Sequence, residues 1–363
     1  MYLIFSLKIT YWNHLVFDMS ENNIWHRTIK SVAFSDTFIN EKLIPWGMET
    51  VLVTGGAGFI GSHVCETLLS KENKVICVDN FNDYYDPKTK EKNISGFKDN
   101  PNFILYRQDI TDYEGLKEVF KLNNVDKIVH LAARAGVRAS FENPGLYWGV
   151  NVDGTRNMLE FATEFKIKNF IFGSSSSVYG TNKKIPFSED DHIENIISPY
   201  ANTKKKAEEL CNEFHDNFDL NVTCLRFFTV YGPRGRPDMA PYKFTELILG
   251  GGPIDMYGDG TSKRDYTYVK DIVDGILLSL DKNLGFEIIN LGNSNTVELR
   301  KFISVIEGAI GNKVKINQLL MQEGDVPLTY ADISKAKRLF GYDPKIKIEE
   351  GIRLFVEWYK NER

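Results

Sequence analysis

Val51-Leu52-Val53-Thr54-Gly55-Gly56-Ala57-Gly58-Phe59-Ile60-Gly61 decides the reading of this chain. A short β-branched run leads into glycines spaced three apart (Gly55, Gly58, Gly61), and a helical pattern over Ser62–Leu69 follows. A strand, a tight glycine turn and a helix in that order form a phosphate cradle. Without β-carbons the backbone can approach a pyrophosphate, whose charge meets the free N–H groups and positive dipole end of the helix. Asp79 follows Gly61 by about 18 residues, close to the roughly 20 expected of the acid that accepts hydrogen bonds from an adenosine ribose. A carboxylate there repels a 2′-phosphate, and no arginine follows it directly, so NAD is favoured over NADP. Asp109 is placed either to face the adenine or to cap a helix in Asp109-Ile110-Thr111-Asp112.

Outward from this turn, apolar runs recur between amphipathic stretches, beginning at Val51, Lys74, Phe103, Lys127, Asn169 and Val222. That rhythm predicts βαβ units, and runs apolar on both faces predict a parallel sheet covered by helices on each side. The fold class is therefore α/β, a doubly wound parallel sheet. Past Gly232 the chain turns rich in Gly and Pro, then supplies a strand over Phe286–Leu291 and helices near Leu299–Ile310 and Ile348–Tyr359. Residues 48–232 are read as the cofactor domain, with later segments returning to it, and 233–363 mainly as a smaller substrate lobe. Residues 1–47, rich in aromatics but without a clean period, are read as a non-native or disordered extension ahead of Met48.

The 363 residues, 42% hydrophobic, contain ample material for a core, and the formal charge of −5 offers no basic field for nucleic acid. No apolar run approaches membrane-spanning length. Cys65, Cys77, Cys211 and Cys224 fit neither a zinc nor a disulfide framework, so a reducing cytoplasm is expected. His130 has no ligand-spaced companion and is read as a core residue; no metal is proposed.

The chemistry-bearing segment is Ser198-Pro199-Tyr200-Ala201-Asn202-Thr203-Lys204, a helix start with Pro199 in its first turn. Tyr200, Leu210, Phe214 and Phe218 sketch its apolar stripe. Tyr200 and Lys204 stand at i and i+4, so an ammonium can sit beside the phenol and favour its ionised form. Upstream, Gly173-Ser174-Ser175-Ser176-Ser177 ends a predicted strand, where a parallel sheet presents ligands and a hydroxyl can share a proton with the tyrosine.

TGGAGFIG, HLAA, NVDGT, SSSSVYG, SPYANTK and RFFTVYGPRGRPDMA together resemble the extended short-chain dehydrogenase/reductases, the nucleotide-sugar epimerases and dehydratases. The resemblance implies a tightly held NAD and Ser175, Tyr200 and Lys204 as the catalytic set. It also implies a nucleoside-diphosphate sugar against the C-terminal lobe, and a homodimer through a bundle that includes the Tyr200 helix. By the same resemblance Phe59 and Ile60 cover the pyrophosphate, Asp79 and Asn80 hold the adenosine ribose, and Asp109 and Ile110 flank the adenine. Leu131, Ala132, Ala133, Asn151 and Phe228 line the rest of the cofactor.

Dehydratases of this family carry acidic residues where Ser176 and Ser177 stand, and two hydroxyls cannot replace an acid/base pair in water elimination. Epimerisation at C4 is the expected reaction. Phe228-Thr229-Val230-Tyr231-Gly232-Pro233-Arg234-Gly235-Arg236 resembles the UDP-glucuronate 4-epimerase branch, in which the Thr229 and Arg236 positions hold the C6 carboxylate. The physics agrees, since an arginine fork matches a carboxylate bidentately. Arg264 matches a position that meets the diphosphate and Asp325 one that bonds a ribose, while Arg138 matches the glucuronate branch and is placed to serve the diphosphate, to close a loop or to form an ordinary salt bridge. A UDP-glucose or UDP-N-acetylglucosamine 4-epimerase is the neighbouring alternative, and a non-catalytic NAD sensor on the same fold the more distant one.

Overall fold

The computed structural model describes residues 48–193, 195–321 and 326–362. The expectations for residues 1–47 and for Asp325 lie outside the described residues. In chain order the elements run β1 (Thr50–Thr54), α1 (Phe59–Ser70), β2 (Lys74–Val78), α2 (Pro87–Ile94), β3 (Phe103–Tyr106), α3 (Tyr113–Leu122) and β4 (Lys127–His130). There follow α4 (Val137–Glu142), α5 (Pro144–Trp148), α6 (Gly154–Glu164), β5 (Asn169–Ser175), α7 (Pro199–Phe218), β6 (Val222–Phe227) and β7 (Thr229–Tyr231). The chain continues with α8 (Ala240–Leu249), β8 (Ile254–Tyr257), β9 (Lys263–Tyr268), α9 (Val269–Leu280), β10 (Phe286–Leu291) and β11 (Thr296–Glu298). It ends with α10 (Leu299–Ile310), β12 (Ile316–Leu319), α11 (Ser334–Phe340) and α12 (Ile348–Asn361).

Seven strands form one parallel sheet in the order β10-β6-β5-β4-β1-β2-β3. Alternate residues of β1 feed different cores. Val51 and Val53 pack with Val64 and Leu68 of α1 and Ile272 and Ile276 of α9. Leu52 packs with Phe120 of α3, Leu159 of α6 and Leu210 of α7. Both faces are covered, which is why the strands read as unbroken apolar runs. The strand order reverses between β1 and β4, so ligands are expected beyond the carboxyl ends of those strands.

A third core, including Ile254, Tyr266, Phe302, Ile306, Ile352 and Phe355, forms around β8, β9, α10 and α12. Tyr266 and Phe302 stack there at 4.2 Å between ring centroids. A two-stranded sheet (β12-β8) and a three-stranded one (β11-β9-β7) belong to this region. β10, from beyond residue 232, returns to the large sheet beside β6, in register from Phe286 opposite Val222.

Two local expectations need correction. The first helix starts at Phe59, not Ser62, with Gly58 as its cap; Gly61 is inside it because a bare backbone is what fits against Gly55. The stripe on α7 ends before Phe218, whose side chain is 56% exposed, and the buried face instead includes Lys204 and Glu208. Among the described residues no helix is long and apolar enough to cross a membrane.

Candidate active site

One cavity of about 410 Å³ opens at the carboxyl edge of the sheet. Gly55, Gly58, Phe59, Ile60 and Gly61 line one end. Gly55 has φ +68°, and a β-carbon on it would come within 2.9 Å of the Ala132 nitrogen. On Gly61 a β-carbon would sit 2.1 Å from the Gly55 carbonyl oxygen. No side chain caps α1, so its first N–H groups and dipole are left for an anion.

Asp79 is 5% exposed. It accepts from Ala57 N (3.2 Å), Phe81 N (2.8 Å) and the buried Lys90 Nζ (3.3 Å). Its carboxylate is thereby fixed at the end of β2, beside the glycine turn. Asn80 donates to Asp109 at 2.6 Å. Asp109 is not the helix cap; that role falls to Asp112, whose carboxylate accepts from Gly115 N. Ile110, Leu131, Ala132, Ala133 and Phe228 line the same cavity. Asn151 stands behind the lining, exchanging hydrogen bonds with the Arg134 backbone (2.8 and 3.0 Å) and donating to Thr203 at 3.0 Å. A bare-backbone cradle, an uncapped helix start and a fixed acid fit NAD, and the sequence reading named each of them. It missed Lys90, which only the packing of α2 brings to Asp79.

Ser175, Ser176, Ser177, Tyr200 and Lys204 line the middle of the cavity. Ser198 caps α7 by accepting from Ala201 N, and Pro199 occupies its first turn, which sets Tyr200 at the helix mouth. The ammonium of Lys204 is not aimed at the phenol as the i, i+4 spacing suggested. It donates to the Gly173 carbonyl oxygen at 2.7 Å and lies 4.8 Å from the Phe172 ring centroid. A buried ammonium needs an acceptor, and the end of β5 supplies one. Burial brings the Lys204 pKa down to about 8. Burial also raises that of Tyr200, while the Ser175 hydroxyl and the Arg236 charge pull it down. His130 is held by Thr54 (2.7 Å) and Thr155 (3.0 Å). Burial, followed by the charge of Lys204, drops its pKa to about 3.

Beneath the serine run, Glu208 takes the Ser174 hydroxyl (2.6 Å) and both edge nitrogens of Arg226 (2.8 Å each), all nearly fully buried. Tyr200, Lys204 and Glu208 stand at i, i+4 and i+8, a signal that was present in the sequence and went unread.

Thr229 and Arg236 line the far end of the cavity. The guanidinium of Arg236 is already gripped by Asp238, Nε to Oδ1 at 2.9 Å and Nη2 to Oδ2 at 2.6 Å, and lies 5.4 Å from the Tyr84 ring centroid. Arg138 and Arg264 do not line this cavity. Arg138 lies over the Tyr257 ring at 5.3 Å, and Arg264 stands on β9, donating to the Lys263 carbonyl oxygen.

A dinucleotide cradle joined by one cleft to a Ser/Tyr/Lys set and an arginine defines a nucleotide-sugar oxidoreductase-type enzyme. The GDP-mannose 4,6 dehydratase family profile matches residues 52–355, and the chain belongs to that family, within the extended short-chain dehydrogenase/reductases. A UDP-glucuronate 4-epimerase of Thermodesulfobacterium geofontis is 46% identical over 310 residues, covering 85% of this chain and 95% of that one. UDP-glucuronate 4-epimerase 4 of Arabidopsis thaliana is 41% identical over 353 residues, covering 92% of this chain and 79% of that one. Among solved structures, the Bacillus cereus UDP-glucuronic acid 4-epimerase in complex with UDP-glucuronic acid and NAD superposes with a TM-score of 0.82 at 36% identity, covering 86% of this chain and all of the other. The chain is an NAD-dependent epimerase.

Proposed function

We propose that this enzyme interconverts UDP-glucuronate and UDP-galacturonate at C4. The observation that carries the reading is the placement of Arg236 and Thr229 in the same cavity as Tyr200 and Ser175. A guanidinium and a hydroxyl suit a sugar carboxylate better than a neutral hydroxymethyl. The relatives named above, which act on UDP-glucuronate by their names, support the same substrate.

NAD, when bound by the glycine turn, Asp79 and Asn80, supplies reversible oxidation of C4 to a ketone. Tyr200 takes the proton of the C4 hydroxyl as the ketone forms and returns it to the C4 oxygen once the keto sugar, turned over in the site, is reduced on its other face. Ser175 shares that proton, and together with the positive charge of Arg236 it opposes the effect of burial on the phenol. Lys204 holds the end of β5 through Gly173, which keeps the serine run beside Tyr200. Arg236 and Thr229 hold the carboxylate. Ser176 and Ser177 leave no acid/base pair for dehydration. Arg264 serves the nucleotide diphosphate, Asp325 bonds its ribose, and Arg138 serves the diphosphate or closes a loop over it. The enzyme is a cytoplasmic homodimer in this reading, supported by four unbridged cysteines and by exposed Leu146 and Trp148 on α5, next to α7.

Incubation with UDP-glucuronate, UDP-glucose and UDP-N-acetylglucosamine, with products separated by anion exchange, tests the proposal. UDP-galacturonate is expected from the first; conversion of the neutral sugars alone overturns it. Arg236→Ala is expected to cut glucuronate turnover by at least about tenfold while NAD stays bound.

A further inference from the structure

Arginine presents five N–H donors in a plane, enough for two separate edges to be used at once. In Arg236 one edge is taken: Nε and Nη2 meet the two oxygens of Asp238 at 2.9 and 2.6 Å. Nη1 makes no hydrogen bond among the described residues, and Arg236 lines the cavity whereas Asp238 does not. Nη2 also donates to Met239 Sδ at 3.9 Å, so the donor left over on this cavity-lining arginine is Nη1.

The grip is itself held. Tyr84, from the segment between β2 and α2, donates to Asp238 Oδ2 at 3.4 Å and places its ring against the guanidinium. Tyr84 is confined in turn, since a β-carbon on Gly136 would come within 2.6 Å of its hydroxyl. The turn preceding Arg236 is tied to α1 at two points, His63 Nε2 to the Pro233 carbonyl oxygen at 2.9 Å and Arg234 to Glu66 at 2.9 Å. An isolated surface ion pair contributes little, but a bidentate fork with side-chain entropy already lost to its supports is the geometry in which such a pair acts.

We propose that Asp238 is a positioning residue for substrate selection, holding Arg236 by its Nε edge so that the Nη1 edge meets the carboxylate of the sugar. The inference rests on the reading of UDP-glucuronate as substrate. Removing Asp238 has two opposed consequences. The arginine gains a fuller positive charge, which favours an anionic sugar, and it loses the constraint that aims it. Loss of aim prevails, because an unheld arginine must surrender side-chain freedom before it can form a two-point contact.

The test uses NAD-loaded enzyme, with UDP-glucuronate and UDP-glucose as calorimetric probes and bound NAD measured alongside. Asp238→Ala is expected to weaken UDP-glucuronate binding about tenfold and UDP-glucose binding less than about threefold, with NAD content unchanged. Asp238→Asn, which keeps one acceptor oxygen, is expected to fall between. Unchanged or tighter UDP-glucuronate binding in Asp238→Ala overturns the proposal, as does an equal loss for both sugars. The substrate reading fails separately: in that case the wild type shows no preference for the acidic sugar and Arg236→Ala changes nothing.

Discussion

Tyr200 is a phenol in a place that resists its ionisation. Burial pushes its pKa up, and among the described residues the Ser175 hydroxyl and the Arg236 charge oppose this. A proton-transfer group is most effective when its pKa lies near the working pH, so the residues that oppose burial are the ones on which turnover depends. Tyr200→Phe keeps the ring that meets Tyr147 edge-on at 6.3 Å and removes only the hydroxyl. Epimerisation is expected to drop by about 10²- to 10⁴-fold, with NAD content and thermal midpoint close to wild type. Undiminished interconversion in this variant assigns the proton transfer to another group. At this scale the sequence named residues that the fold brings to one cavity, as in Ser175, Tyr200 and Lys204. It was silent where a partner arrives through space: Tyr84 meets Asp238 across 154 positions, and no local pattern announces such a contact.

The elements show why the glycine turn could be read at once while the direction of the lysine could not. Strand, turn and helix are local, and Gly55 and Gly61 leave their mark because any side chain there collides with backbone. Gly61→Ala brings a β-carbon to 2.1 Å from the Gly55 carbonyl oxygen, an overlap that the turn relieves only by shifting away from the pyrophosphate position. Bound NAD in the purified protein is expected to fall by at least about tenfold, with a stability loss of about 1–3 kcal/mol. Gly96→Ala, where no atom lies within 4 Å of the added carbon, is the control expected to change neither. Normal NAD content in Gly61→Ala removes close backbone approach as the reason for that glycine. Helix α7 illustrates the opposite case. Its periodicity places Tyr200, Lys204 and Glu208 on one face, but the partner of each depends on β5 and β6, whose packing against α7 is tertiary. The ammonium goes to Gly173, and the carboxylate to Ser174 and Arg226.

For the whole molecule, the two-sided sheet follows from apolar patterning, whereas the balance of buried titratable groups does not. His63 and His130 are both held neutral. Burial and then the charge of Arg234 lower the first to about 4, and burial and then Lys204 lower the second to about 3. Asp265 is driven the other way, to about 6, by burial, against hydrogen bonds from Asn293 N, Ala331 N and Thr267 Oγ1. As pH falls below 6.5, the unfolded chain takes up a proton at each histidine that the folded chain refuses, so stability is lost on acidification. Between about pH 6 and 4 the folded chain protonates Asp265 while the unfolded chain does not, which offsets part of that loss. Near pH 5.5 these three groups leave the unfolded state with an excess of about one proton, a slope of about 1.4 kcal/mol per pH unit. Urea unfolding across pH 6 to 5 should show that decline in the wild type. His63→Gln removes one of the two destabilising uptakes and is expected to flatten the slope to near zero, whatever it does to absolute stability. Asp265→Asn removes the offset and is expected to steepen the slope to about twice the wild-type value. The same slope in all three proteins places the acid sensitivity outside these buried groups.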